Sequence, residues 1–183
     1  VVSVVAVSVE KEEAYGQFAP ASATALRGVA GADGLVVVRT FSKTWALAAA
    51  RLGYLLGCPE VVESCESVAL PYHLSAYTQA AGLTALRFTD EMERRVAFVS
   101  EERGRVAAAL AGLAVQSWPS DANFILFRPL ERSAGSVWQG LVDRSVLIRD
   151  VSGRPELEGC LRVTIGTTEE NDRFLAALEG CLG

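Results

Sequence analysis

Residues 35–40 (LVVVRT) constrain the chain most: this is a β-branched apolar run of strand length, of the kind found in strands covered on both faces. A second such run, residues 1–9 (VVSVVAVSV), stops abruptly at Glu10-Lys11-Glu12-Glu13, and a third is residues 52–57 (LGYLLG). Three strands make only part of a covered parallel sheet, so at least one edge needs a further neighbour.

Between the second and third runs, residues 44–50 are alanine-rich and favour helix. Residues 59–68 read as a helix with proline near its start, and a long helical region follows over residues 75–113, with Thr89-Asp90 as a cap or break. The rhythm then changes. Residues 123–127 (NFILF) and 146–151 (VLIRDV) read as strands around a helix over 136–144. Residues 160–165 (CLRVTI) alternate, with Arg162 and Thr164 on one side, as a half-buried strand would. The last helix starts at Thr167, where Glu170 completes a capping box, and ends near Gly180. The expected fold class is α/β: a partial large domain over residues 1–85, then a linking helix and a small α+β domain over 86–183.

Half of the 183 residues are hydrophobic, enough for a core, and the net charge is −5 with no run of Lys or Arg. That excludes a general basic surface for nucleic acid or anionic membrane. Any anion must therefore be held by a few placed arginines. Residues 1–9 are too short to span a bilayer, so a cytoplasmic protein with no membrane partner is expected. Cys58, Cys65, Cys160 and Cys181 show no metal-ligand spacing and read as buried free thiols.

The chemistry concentrates at Thr40-Phe41-Ser42-Lys43 and the following Arg51-Leu52-Gly53-Tyr54. A lysine at a strand end can capture an aldehyde as an imine. Thr40 and Ser42 supply short hydroxyl donors, and Arg51 a planar fork suited to phosphate. An isolated Ser-Lys pair reads as a solvated turn before a helix. The whole string TFSKTWALAAARLGY, however, resembles the lysine segment of fold-type I pyridoxal-phosphate aminotransferases, histidinol-phosphate aminotransferases especially. The resemblance makes Lys43 the residue that binds pyridoxal phosphate and shuttles a proton, with Thr40, Ser42 and Arg51 on the cofactor phosphate.

Glu13-Ala14-Tyr15-Gly16-Gln17-Phe18 resembles the same family's D-E-A-Y-x-x-F segment. Tyr15 then meets the cofactor's ring oxygen, and Glu12, one methylene longer than aspartate, stands at the position of the pyridine-nitrogen partner. A plain charged loop over residues 10–13 is the alternative. Residues 146–150 (VLIRD) and 159–167 (GCLRVTIGT) resemble the segments of the two substrate arginines. By that resemblance Arg162 clamps an α-carboxylate and Arg149 a substrate phosphate; taken alone, each could face solvent.

His73, in a loop similar to one near the family's dimer interface, reads as structural, and Asn123 as a supporting residue near the substrate. The family's glycine-containing phosphate loop, its ring-stacking aromatic and its asparagine precede the aspartate and are not found here. A fragment, a split-gene product or an altered start is expected, with a homodimer or a completing chain as partner. The implied reaction is transamination between histidinol phosphate and 2-oxoglutarate, with small amino-acid and phosphate substrates. A phosphothreonine-type decarboxylase and a non-catalytic dimerisation module are the other readings.

Overall fold

A computed structural model describes residues 9–26 and 34–183. Two compact units divide between Val96 and Ala97, inside one long helix. The architecture is mixed: helices with two separate sheets.

In the first unit β1 (Val9–Glu12), β2 (Leu35–Thr40) and β3 (Gly53–Leu56) form a sheet in that order, β1 parallel and β3 antiparallel to β2. Leu35, Val36 and Val37 are buried, as the apolar run requires. The strand expected over residues 1–9 lies, apart from Val9, outside the described residues. The charged stretch expected to end that strand instead forms β1, with Glu10, Lys11 and Glu12 opposite Val36, Val37 and Val38. Parallel pairing uses main-chain N–H and C=O groups, so a charged stretch can take it as an apolar one does.

The alanine-rich stretch is not an α-helix. It is a turn ending in a short 3-10 segment, Ala48–Ala50, bracketed by Ala46 at φ 55° and Arg51 at φ 52°. Two left-handed residues so close together interrupt the i→i−4 ladder that alanine propensity would otherwise extend.

Helix α1 (Pro59–Val68) has proline in its first turn, where no N–H partner is lost. Helix α2 (Ala76–Ala85) starts at Ser75, whose hydroxyl accepts from the Thr78 N–H. The expected break comes just before Thr89: a 3-10 turn at Leu86–Phe88 separates α2 from α3 (Thr89–Leu110).

The second unit carries the larger core. Strands β4 (Val115–Ser117), β5 (Phe124–Pro129), β6 (Arg149–Asp150) and β7 (Leu161–Thr164) form an antiparallel sheet in the order β4-β5-β7-β6. Ile125, Phe127, Leu161 and Val163 pack with Val137 and Leu141 of α4 (Ala134–Asp143) and Phe174 and Leu178 of α5 (Thr168–Leu182). The capping box at Thr167 and Glu170 is present.

Only two residues of the strand expected over 146–151 pair. The Val146 N–H donates to Leu141 O, and Ile148 O accepts from Trp138 Nε1 at 3.0 Å, so these main-chain groups are spent on α4. All four cysteines are free thiols, but only Cys160 is buried. Among the described residues no helix is long and apolar enough to cross a membrane.

Candidate active site

In the first unit the site is two turns bolted together. The first follows β1. Glu13 extends the strand pairing through N–H to Val38 O (2.8 Å), and the chain then turns through Tyr15 to buried Phe18. Gly16 is needed here, since a Cβ would stand 2.8 Å from Glu13 Oε2. The second turn follows β2. The Phe41 N–H donates to Leu52 O (2.9 Å) and the Leu47 N–H to Phe41 O (3.1 Å), while Trp45 stacks on Phe41 with centroids 5.5 Å apart.

Lys43 sits exposed at the head of this turn, its Nζ 5.2 Å from the centre of the Tyr15 ring. Thr40 Oγ1 donates to Ser42 Oγ at 2.9 Å and accepts from the Ser42 N–H at 3.0 Å, so both hydroxyls are gathered at the strand end. Arg51 is exposed, with Nη1 on Ala48 O at 3.0 Å. Glu12 closes β1 opposite Val38; its side chain lies outside the described residues.

The sequence reading missed the carboxylate that organises this region. Glu13 is buried and accepts from Arg39 Nη2 (2.9 Å), from the Ser22 hydroxyl (2.7 Å) and from the Ala23 N–H. Burial pushes its carboxyl up, but the Ala23, Ser22 and Arg39 hydrogen bonds outweigh that and hold it below the usual carboxylate range. The legible signal was Arg39, a charge inside an otherwise apolar strand; such a charge needs a buried partner.

The second group of residues belongs to the other unit. Arg149 and Arg162 stand directly opposite each other on β6 and β7. Like charges in that position are unfavourable without a counter-ion. Neither takes part in an ion pair among the described residues. Arg162 lies with its guanidinium carbon 4.6 Å from the Phe124 ring centre, and its buried Nε has no hydrogen-bond partner among the described residues. An orphaned, buried guanidinium N–H is a donor without an acceptor. A cavity of about 840 Å³ is lined by both arginines with Trp138, Thr164, Glu170 and Asn171. Arg128, whose buried Nε likewise has no partner among the described residues, was not singled out from the sequence; Nη2 lies 3.5 Å from Cys160 Sγ.

The cavity floor is tied to α3. Asn171 Nδ2 donates to Glu102 Oε2 (2.7 Å) and to Gly166 O, while its Oδ1 accepts from the Gly166 N–H. Glu102 also accepts two bonds from Arg105, and these with the Asn171 bond depress its carboxyl from the usual 4.5 to about 2. A depressed folded-state value adds stability above the unfolded value and loses it as pH falls toward 2. The thermal stability of the second unit is therefore expected to fall as pH drops from 4.5 toward 2, and to fall less in Glu102→Gln. The same pH dependence in both proteins would remove Glu102 from this role.

His73 Nδ1 lies 2.9 Å from Leu70 O in an exposed loop, and Asn123 serves through its carbonyl, which accepts from the Ile165 N–H.

A sequence profile for aminotransferases of class I and II matches residues 11–178. The chain is 46% identical over 168 residues to a histidinol-phosphate aminotransferase of Mycolicibacterium vanbaalenii, covering 91% of this chain and 43% of that protein. It is 48% identical to the one from Mycobacterium avium, covering 91% and 40%. It thus spans less than half the length of these curated relatives. Among solved structures, the histidinol-phosphate aminotransferase of Sinorhizobium meliloti in complex with pyridoxal-5'-phosphate superposes with a TM-score of 0.80 at 26% identity, over 94% of this chain and 48% of that one.

Proposed function

Because the chain belongs to the aminotransferase class I and II family, we propose that it carries the lysine-bearing and arginine-bearing parts of a pyridoxal-phosphate-dependent transaminase. The proposed substrates are histidinol phosphate and 2-oxoglutarate, exchanged to imidazole acetol phosphate and glutamate. The observation that carries this reading is the exposed Lys43 amine, held over the Tyr15 ring at the end of a strand whose Thr40 and Ser42 hydroxyls converge.

The residues fit the cofactor. Lys43 presents a nucleophile to the aldehyde, Tyr15 a phenol beside it, and Thr40, Ser42 and Arg51 donors for the phosphate. Glu12 is assigned to the pyridine nitrogen. Bound there, pyridoxal phosphate supplies an electron sink at the carbon that loses its proton. With the cofactor bound, Lys43 Nζ would be the group that takes up and returns that proton. Arg162 grips the carboxylate and Arg149 the phosphate of the substrate. The orphaned Arg162 Nε supports this assignment, because a carboxylate is the acceptor it lacks.

Completion of the site is assigned to a second copy or a completing chain. Tyr72, Tyr77, Leu83 and Leu86 of the first unit, all more than half exposed, offer apolar surface for such a partner. A cytoplasmic setting is part of the same proposal.

The test is spectroscopic. Adding pyridoxal phosphate to the chain should produce an imine absorption band near the visible edge. Lys43→Ala should abolish it. A band of equal size in that variant would refute the assignment.

A further inference from the structure

The Lys43 turn is strained and needs an external hold. Ala46, three residues on, has φ 55°, a conformation that a non-glycine residue keeps only when its surroundings impose it. Thr44, next to the lysine, is 1% exposed, and its Oγ1 donates to Gln17 Oε1 at 2.7 Å. Gln17 lies two residues beyond Tyr15. The hydrogen bond therefore joins the turn that presents the amine to the turn that presents the phenol. Arg95 of α3 adds a weaker hold, its Nη1 3.4 Å from Thr44 O.

We propose that the Thr44–Gln17 hydrogen bond is a positioning clip that keeps Lys43 Nζ over the Tyr15 ring, making Thr44 and Gln17 positioning residues for the amine. The proposal rests on Lys43 being the aldehyde-binding amine. A lysine side chain has four rotatable bonds, so its reach is controlled mainly by where its Cα and its immediate neighbours are fixed. Thr44 is well suited to fix them: its methyl is buried while its hydroxyl makes the link. Thr44→Val keeps shape and branching and deletes only the hydroxyl. It also leaves the Gln17 carbonyl unpaired in a half-buried site.

The chain contains two lysines, Lys11 and Lys43, so one supplies an internal reference for the other. The unprotonated amine adds to the aldehyde carbon of pyridoxal phosphate, water leaves, and cyanoborohydride delivers hydride to the resulting C=N bond, giving a stable secondary amine. Initial labelling at each lysine is read by peptide mapping. In Thr44→Val the ratio of Lys43 to Lys11 labelling should fall about fivefold, the value of one ordinary hydrogen bond. Thr44→Ser, which restores the hydroxyl, should recover most of it. Gln17→Met removes the acceptor from the other side and should match Thr44→Val, which keeps the comparison available should the valine variant fail to fold.

An unchanged ratio in a folded Thr44→Val or Gln17→Met overturns the clip, even if thermal stability drops. So does a serine variant as slow as the valine one. Wild-type protein that labels only Lys11 overturns the Lys43 reading itself, a failure distinct from that of the clip.

Discussion

Phe127→Ala is expected to destabilise the second unit by about 3–5 kcal/mol, the usual cost of deleting a fully buried aromatic ring. Phe127 is 0% exposed, on a central strand of the sheet. Its ring lies against Phe174 of α5 with centroids 5.9 Å apart and planes tilted by 60°. The core around it draws on β5, β7, α4 and α5 at once, so no single neighbour can move in to refill the space. Leu126, on the opposite face of the same strand, is only half buried, and Leu126→Ala should cost about 1 kcal/mol. Hydrogen exchange of the β5 and β7 amides reads this unit separately from the other. Equal protection in the two variants would mean that the core is not where the burial places it.

That core was legible because alternation is a strong signal. NFILF reads as a strand and CLRVTI, by its alternation, as a half-buried one, and the structure pairs them as neighbours. The capping box at Thr167 was legible for the same reason, since it is written in residues three apart. Less legible were features set by distant partners. Nothing local in VLIRDV says that Trp138 will take the Ile148 carbonyl and shorten the strand to two residues. Alanine propensity over residues 44–50 was overruled by left-handed residues at 46 and 51, which propensity does not register. In the candidate site, the motif strings pointed to Lys43, Tyr15 and both arginines. Glu13 and Arg39 escaped notice because their pairing spans 26 residues and only folding brings them together.

On the proposed function, Arg149→Ala is expected to impair the half-reaction with histidinol phosphate about ten- to a hundred-fold while leaving the glutamate half-reaction far less affected, in a holoenzyme assembled around this chain. A charge-assisted hydrogen bond is worth about 1.5–3 kcal/mol, which sets that range. Two arginines opposite each other on neighbouring strands repel unless an anion lies between or beside them, and among the described residues neither is in an ion pair. Arg149 is the exposed one of the two, free to follow a phosphate, whereas Arg162 is half buried against Phe124 and held in one place, as a carboxylate shared by donor and acceptor requires. Single-turnover rates for each half-reaction separate the roles. Equal impairment of both would refute the division, and no effect on either would make Arg149 a solvent-facing residue.

The proposed function requires that one particular amine capture pyridoxal phosphate. The direct measurement is to add the cofactor to the intact chain, reduce with borohydride, digest, and locate the label by mass spectrometry. The predicted result is a reduced pyridoxyl group on Lys43, the exposed amine over Tyr15. A label on Lys11 in its place, or bound cofactor with no label on Lys43, would contradict it.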